Sequence, residues 1–248
     1  MTRKVMDLMR VGPEPGPGVF VLPSPDVRGG GPENIVVPQS PAVKAYQIEL
    51  RQRALAIKAD ARNATHLGRD DGMLRLVNDG RNAATDPRMI EDADLTQDYD
   101  DTKVNHAIPS IMEEYKASHP AVDPDTGKDY MEDKGVQLIF LDRGVPDGAA
   151  NFGVYEDIKR KLRDQGIPES EVAFIHDVGG TGAAHDKALK RLFAKVRRGD
   201  IRIIVGSTQK MGIGVNVQER VVGIHHLDVD WNFANYEQRN GRGLRFGN

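Results

Sequence analysis

The chain of 248 residues contains no cysteine, and this absence removes several kinds of chemistry at once. Disulfide bonds, thiolate zinc sites and cysteine nucleophiles all require a thiol, so none of them can operate in this sequence. A chain without thiols is compatible with the reducing cytoplasm, which is the location that we expect.

Long apolar runs and an excess of positive charge are also missing. No apolar stretch approaches the ~18 residues that a membrane-spanning helix requires, so we expect no membrane contact. The net charge is −3, with 39% hydrophobic and 29% charged residues, as in an ordinary globular protein. Because such a chain is not coated with basic side chains, any nucleic-acid contact must use a local positive stripe and backbone amides.

Proline and glycine are abundant near the N-terminus, where they crowd residues 11–41. Both residue types disfavour helices, so we assign residues 1–40 to a connector. Two short apolar runs in it, Gly18–Leu22 and Asn34–Val37, could form edge strands.

The next residues, 41–134, are predicted to form a mostly helical region. A serine cap and a first-turn proline predict a helix from Pro41 to about Ala61. Asp70–Arg81 predicts a short helix or strand that ends at an Asp-Gly turn. A further helix is predicted over His106–His119.

From residue 135 onward the pattern changes to alternating strands and helices. Val136–Leu141 is a continuous apolar run, which is typical of a strand buried on both faces of a sheet. The further predicted elements are strands at 171–176, 201–206 and 221–227 and helices at 151–165, 183–198, near 215 and from about 234. This alternation predicts the α/β class, a parallel sheet with flanking helices whose functional residues follow the carboxyl ends of the strands.

Three polar motifs follow the last predicted strands. Ser207–Asn216 has the pattern S-T-x-x-x-G-x-G-x-N, Asp228–Asn232 reads D-V-D-W-N, and Gln238–Arg245 reads Q-R-N-G-R-G-L-R. The planar fork of arginine matches phosphate oxygens two at a time, so the clustered arginines predict a polyphosphate contact. Their spacing places Arg242 and Arg245 on adjacent turns of one helical face, although an isolated R-x-x-R would also suit a solvated basic helix.

In order and spacing these motifs resemble motifs V and VI in the second RecA-like lobe of superfamily-two helicases, and most closely those of the Swi/Snf-type translocases. Gly206–Gly212 and His225–Asp228 are similar to the helicase halves of large phage and plasmid helicase–methylase proteins. The resemblance covers Ser207–Asn248 specifically and extends more loosely back to about Val136. It implies that residues 135–248 form a RecA-like lobe of an ATP-dependent DNA helicase or translocase.

The resemblance also implies roles for the residues of motif VI. Arg242 and Arg245 would act as arginine fingers on the γ-phosphate of ATP, which lies between two lobes. Gln238 and Arg239 would be nearby contacts of the nucleotide pocket. Inserted guanidinium groups stabilise the charge that spreads over the transferring phosphoryl group, worth about 10³–10⁵ in rate where the finger acts in trans.

Motif V would touch both ligands, and so would couple the state of the nucleotide to the grip on the strand. By the resemblance, the residues that contact the nucleotide are Gly212, Gly214 and Asn216. The expected contacts with strand phosphates are Ser207, Thr208, Lys210 and Arg143. Lys210 stands where the family usually has a small residue, so it could add a phosphate contact.

Other polar residues have simpler interpretations. Trp231 is expected to be a packing anchor, with a base-stacking platform as the alternative. His176, His225 and His226 have no companions at metal-ligand spacing, so we predict structural histidines and no metal site. The glycine-rich segment 179–187 lacks the Gly-Lys-Ser/Thr of a phosphate loop and is expected to be a surface loop.

No other segment carries a phosphate-loop signature or an Asp-Glu box on a buried strand. We therefore expect ATP with Mg²⁺ to be bound mainly by a first RecA-like lobe, in the parent polypeptide or in a separate chain. We expect the present chain to be a fragment or split remnant without ATPase activity of its own. DNA contacts should go to the backbone and be largely independent of sequence.

Two alternatives remain open at this point. The first is a non-catalytic nucleic-acid-binding module attached to a DNA methylase or nuclease. The second is another nucleotide-binding α/β enzyme such as a methyltransferase, but its Asn/Asp-Pro-Pro-Tyr tetrad and its glycine loop after the first strand are absent.

Overall fold

The computed structural model of the chain describes residues 27–59, 72–90, 94–118, 134–146, 152–211, 220–229 and 232–242. Within them the elements are, in order, α1 (Pro41–Ala59), α2 (Met73–Thr85), α3 (Lys103–Ala117), β1 (Val136–Phe140), α4 (Val154–Asp164), β2 (Val172–Phe174), α5 (Gly182–Arg198), β3 (Ile203–Gly206), α6 (Thr208–Met211), β4 (Val221–His226) and α7 (Phe233–Asn240). Among these residues, no helix has both the length and the apolar character needed to cross a bilayer.

The four strands form one sheet in the order β2-β3-β1-β4, and every pair is parallel. Leu138 in the central strand β1 lies opposite Ile204 of β3 and Ile224 of β4. Parallel neighbours cannot be joined by hairpins, so the chain crosses over the sheet between strands. This arrangement confirms the predicted α/β class, a RecA-like parallel sheet with flanking helices.

Helices cover both faces of the sheet. Ile139 and Val205 point to the face covered by α3 and α4, while Leu138 and Ile204 point to the face covered by α5. Side chains alternate between faces along a strand, so a strand covered on both sides must be apolar throughout. The run Val136–Leu141 meets this requirement except at Gln137, whose amide donates to the carbonyl oxygen of Ile111 at 2.9 Å.

Helix α4 shows how local sequence defines an element. Its buried side chains recur at helical spacing and are Val154, Tyr155, Asp157, Ile158 and Leu162. Acidic residues occupy its first turn and basic residues its last turn, which complements the helix dipole. Gly166, at φ +98°, then turns the chain toward β2 in a conformation that other residues rarely adopt.

The predicted Asp-Gly turn after residue 78 is wrong, because α2 continues through Asp79 and Gly80 to Thr85. Asp79 is held by Arg53 of α1, with 2.9 Å between Oδ2 and Nη2. Gly80 faces the side chain of Leu50, also on α1. A glycine inside a helix costs about 1 kcal/mol, and here the contacts with α1 outweigh that cost.

The predicted edge strand at Asn34–Val37 is also wrong, because these residues form no strand and both Ile35 and Val36 are exposed. The other predicted edge strand, at 18–22, lies outside the described residues, as does the helix predicted near residue 215. β2 is shorter than predicted, since Ile175–Asp177 forms a 3₁₀ turn directly after it.

Helix α3 belongs to the same hydrophobic cluster as the sheet, although it falls within the range 41–134 that was assigned to the helical region. A fully buried arginine, Arg202, fixes its C-terminal end. This guanidinium donates to the carbonyl oxygens of Tyr115 and Ser118 at 2.9 and 3.0 Å and lies 3.8 Å from the ring centroid of Tyr115. The division of the chain at residue 135 stays a prediction.

The pH dependence of stability provides a test of the buried histidine in β4. Burial lowers the pKa of His225 from 6.5 to about 4, and its Nε2 lies 2.7 Å from Oε1 of Gln137. Because the folded pKa is below the unfolded value, His225 contributes stability that is fully present above pH 6.5 and is lost as the pH falls through about 4. We expect the free energy of unfolding in urea to decrease over this window, and His225→Gln to make the decrease shallower.

The control for this measurement is His185→Gln on α5, which leaves β4 unchanged. Equal pH slopes for His225→Gln and the unmodified protein would contradict the assignment.

Candidate functional site

The candidate site lies where the carboxyl ends of three neighbouring strands meet. In the sheet order β2-β3-β1-β4, the connection from β1 runs toward the β2 side of the sheet. The connection from the adjacent strand β3 runs in the opposite direction, toward β4. Such a switch point opens a crevice beyond the strand ends, where ligands of open α/β sheets bind. The residues that directly follow the three strands include Asp142 after β1, Thr208 after β3 and Asp228 after β4.

One guanidinium connects all three strand ends. Arg239 of α7 donates to Oδ2 of Asp142 at 2.6 Å, to Oδ1 of Asp228 at 3.0 Å and to Oγ1 of Thr208 at 2.6 Å. A fourth hydrogen bond goes to the backbone oxygen of Asp228 at 2.7 Å. The side chain is only 2% exposed, so its charge is neutralised inside the protein. The predicted nucleotide contact through Arg239 would have to compete with these four bonds.

The two aspartates also accept hydrogen bonds from the backbone. Oδ1 of Asp142 accepts the N–H of Thr208 at 2.5 Å, and Oδ2 of Asp142 accepts the hydroxyl of Thr208 at 2.8 Å. Oδ2 of Asp228 accepts the N–H of Asp142 at 2.6 Å and that of Arg143 at 3.1 Å. Burial raises the pKa of Asp228, while Arg239 acts in the opposite direction. Sequence reasoning did not single out Asp142, although an aspartate directly after a buried strand was a usable signal.

The Thr208 hydroxyl, predicted to contact strand phosphates, donates to Asp142 and accepts from Arg239. Ser207 is buried, and its N–H donates to Nε2 of His176 at 3.3 Å. Burial, followed by the charge of Lys210, lowers the pKa of His176, which favours a neutral ring that can accept this bond. The side chain of Lys210 is exposed at the start of the crevice.

The histidines in β4 have protein partners as well. Besides the contact between His225 and Gln137, Nε2 of His226 lies 2.9 Å from Oδ1 of Asn240, and its ring stacks on Phe140. These contacts agree with the predicted structural role.

The side chain of Arg143 contacts the helical region, while its backbone N–H bonds to Asp228 at the strand ends. Its Nη1 donates to Oδ1 of Asn78 on α2 at 3.0 Å, and the residue is half-buried. Burial lowers the pKa of Arg143, and the nearby charge of Arg81 lowers it further. Arg143, which was predicted to contact a nucleic-acid strand, therefore lies between the carboxyl end of β1 and α2.

The predicted helical position of Arg242 is wrong, because α7 ends at Asn240 and Arg242 lies beyond it. Glycines precede and follow Arg242, and each costs about 1 kcal/mol in a helix interior. The Arg242 side chain is 7% exposed, and its backbone N–H donates to the oxygen of Arg239 at 3.0 Å. Gln238 is exposed on α7.

Some predicted site residues lie outside the described residues, namely Gly212, Gly214, Asn216, Trp231 and Arg245. Their expected roles stay predictions.

A separate cluster of aspartates includes Asp157 in the first turn of α4. Potential metal-ligand oxygens of Asp86, Asp98 and Asp157 lie within 4.8 Å of one another. Arg88 contacts Asp86 and Asp157 at 2.7 and 2.8 Å, and Lys161 contacts Asp98 and Asp157 at 2.8 and 3.0 Å. Although burial favours the neutral acid, hydrogen bonds from Arg160 and Lys161 hold the pKa of Asp157 below its ordinary value. These cations neutralise the negative charge of the cluster. The ion pairs thereby connect α4 to the segments that contain Asp86 and Asp98.

Comparison with known proteins identifies the segment that contains most of this network. Residues 157–247 match the helicase conserved C-terminal domain. A stretch of 59 residues is 37% identical to defense against restriction protein B of Escherichia phage P1. That stretch covers 24% of this chain and 3% of the phage protein, so the chain spans only a small part of that relative. The match supports the predicted C-terminal helicase lobe, while the Swi/Snf subtype stays a prediction.

The strand-end network predicts a large loss of stability for Arg239→Met. The substitution leaves the buried carboxylate of Asp228 without its counter-charge, and breaking a buried ion pair costs about 3–5 kcal/mol. Urea unfolding at neutral pH measures this loss. Asp228→Asn in the same chain should recover part of it, because the uncompensated charge is then absent.

The matched control is Arg163→Met on α4, where the ion pairs with Asp164 and Glu169 are exposed. We expect little change in its unfolding midpoint. Equal midpoints for Arg239→Met and Arg163→Met would show that the network does not stabilise the fold.

Proposed function

We propose that this chain, whose residues 157–247 match the helicase conserved C-terminal domain, is the C-terminal motor lobe of an ATP-dependent DNA helicase or translocase. A helicase C-terminal domain is a nucleic-acid-binding lobe that works with an N-terminal lobe. The hydrogen bond of 2.6 Å from Nε of Arg239 to Oγ1 of Thr208 gives this proposal its structural support. It joins the hydroxyl segment of motif V to α7, which carries the first arginine of motif VI.

This bond supports a mechanical connection between the two ligands. In the proposed motor, Ser207 and Lys210 lie on the nucleic-acid side, while Gln238 and the arginines after α7 lie on the nucleotide side. Arg239 acts as a positioning residue, because its four hydrogen bonds hold α7 against the strand ends. A displacement on one side is then transmitted to the other.

The described strand-end residues fit ATP with Mg²⁺ only in part. Mg²⁺ prefers carboxylate and phosphate oxygens, but Asp142 and Asp228 are engaged by Arg239 and by backbone amides. We infer that the metal carboxylate and the P-loop lysine come from a first RecA-like lobe, in the same polypeptide or in another chain. The present lobe would contribute positive charge through Arg242 and Arg245, which stabilises the charge on the transferring phosphoryl group.

Arg242 is buried next to the end of α7, so this role requires its guanidinium to become exposed when the lobes close. Gly241 and Gly243 flank Arg242 and favour such a rearrangement, because glycine restricts the backbone least.

The polynucleotide partner in this proposal is DNA, contacted through its backbone. The phage P1 relative is named for defense against restriction, a process that acts on DNA, which favours DNA over RNA. Lys210, Ser207 and Arg143 would contact phosphates, so binding would be largely independent of sequence.

The alternative proposal is a non-catalytic nucleic-acid-binding module attached to a methylase or nuclease. The internal neutralisation of Arg239 favours this alternative, because it leaves fewer arginines of motif VI directed at a nucleotide.

ATP hydrolysis separates the two proposals. We expect negligible ATPase activity from the isolated chain and DNA-stimulated ATPase activity once a first lobe is present. In that complete motor, Arg242→Ala or Arg245→Ala should lower kcat by about a hundredfold or more while changing DNA affinity little, because fingers act on the transition state.

The control in the same assay is Arg163→Ala on the exposed face of α4. Robust hydrolysis by the isolated chain would contradict the need for a first lobe. Equal losses of kcat and DNA affinity would contradict the finger role.

Salt dependence tests the DNA contact. Titrations of single-stranded and duplex DNA at about 50 and about 200 mM salt should show affinity that falls with salt and is similar for unrelated sequences. Lys210→Gln should reduce the slope of log K against log salt by about 0.7–0.9, because one phosphate contact is lost. Lys58→Gln on α1 serves as the control, and a salt-independent affinity would contradict backbone binding.

A further inference from the structure

Beside Arg143, α2 brings a second arginine to the carboxyl edge of the sheet. Asn78 and Arg81 are three residues apart on α2, so they share one face of the helix. Asn78 accepts a hydrogen bond from Arg143 at 3.0 Å. Arg81 donates to the backbone oxygen of Val229, just beyond β4, at 3.4 Å. The two guanidinium groups are therefore held near the ends of β1 and β4.

A third cation comes from α3. Lys103 is the first residue of this helix and follows the cap Thr102, whose hydroxyl accepts the N–H of Asn105 at 3.1 Å. Burial lowers the pKa of Lys103, with Asp228 raising it and Arg81 lowering it. The next residue, Val104, is buried in the same cluster as Leu227, which follows β4, so the start of α3 lies at this edge of the sheet. The charge of Arg81 lowers the pKa of both Lys103 and Arg143.

The neighbouring carboxylates are already engaged. Asp142 and Asp228 both bind Arg239, at 2.6 and 3.0 Å. Asp79, which directly follows Asn78 on α2, is turned to the other side and binds Arg53 at 2.9 Å. Within the described residues, Arg81, Lys103, Arg143 and Arg239 surround the two strand-end carboxylates, so cations outnumber these two acids.

We propose that Arg81, Lys103 and Arg143 form a binding site for the phosphodiester groups of a DNA strand. The inference rests on the proposed function and extends the DNA contact to α2 and α3. Both helices precede the matched helicase domain at 157–247. Cations held half-buried near one another repel, and an oxyanion between them removes that repulsion. Arginine can bind phosphate through two oxygens, while lysine adds a compact point charge.

The arrangement favours a strand over a free nucleotide. The three cations come from three separate elements, α2, α3 and the segment after β1, so successive phosphates of one strand could contact them separately. A DNA strand offers one negative charge about every 3.4 Å of helix axis, which suits several cations in a row. In the proposed motor the nucleotide is contacted by the arginines after α7.

The test is DNA binding by the double variant Arg81→Gln with Lys103→Gln, measured by fluorescence anisotropy over a range of salt concentrations. Loss of two phosphate contacts should weaken binding about tenfold or more and reduce the slope of log K against log salt by about 1.4–1.8. Arg81→Lys with Lys103→Arg keeps both charges, so it should retain most of the slope.

The matched control is Arg51→Gln with Lys58→Gln, which removes the same two charge types from exposed positions on α1. Its affinity and slope should equal those of the unmodified chain. Urea unfolding of all variants separates a loss of binding from a loss of fold. If the charge-conserving variant loses as much slope as the glutamine variant, the two residues act structurally and the inference is overturned.

The remaining outcomes are also decisive. Unchanged affinity and slope in the glutamine variant would overturn this inference while leaving the proposed function intact. Loss of ATP affinity without loss of DNA affinity would assign the three cations to a nucleotide instead. Absence of DNA binding by the unmodified chain would overturn both the inference and the proposed strand contact.

Discussion

The arrangement of the strand ends depends on a single buried guanidinium. Arg239 contacts residues after β1, β3 and β4 while it belongs to α7, so it joins four elements that are distant in sequence. Removing charges from water is costly, and a buried pair is tolerable only when its remaining hydrogen-bonding groups are also satisfied. Here the two aspartates accept backbone N–H groups as well, which ties the charge balance to the positions of the strand ends. The network is complete only when all three strands and α7 are in place together.

The same network limits which residues remain for ligands. Thr208 and Arg239 belong to motifs that are associated with ligands in helicases, yet their polar groups are engaged with one another. Cations outside the network are therefore the groups that give the edge its net charge. They come from α2, α3 and the end of β1, so the region before the sheet takes part in the electrostatics of the strand ends. Assigning ligand contacts by motif alone overlooks this contribution.

The sheet could be predicted from sequence because burial on both faces makes each strand an apolar run, as in Val136–Leu141. Features that depend on distant residues could not be predicted. Helix α2 passes through Asp79 and Gly80 because α1 supplies partners for both, and the α2 segment gives no sign of those partners. The arginine at position 239 has the same motif context whether it faces a ligand or the interior. The end of α7 was predictable from the glycines around Arg242, but the i, i+3 spacing of the arginines suggested a longer helix.

Helix α3 has a consequence for how the chain can be divided. Its residues Val104, Ile108 and Ile111 are buried with Ile139 of β1, and Arg202 anchors its last turn from the start of β3. Cutting the chain just before β1 would therefore uncover the part of this face that α3 covers and leave the Arg202 guanidinium without its helix carbonyls. Such a truncated lobe would expose aliphatic side chains of the sheet to water, and it would be prone to self-association. We therefore expect the smallest autonomous folding unit to include α3, although the matched helicase domain starts only at residue 157.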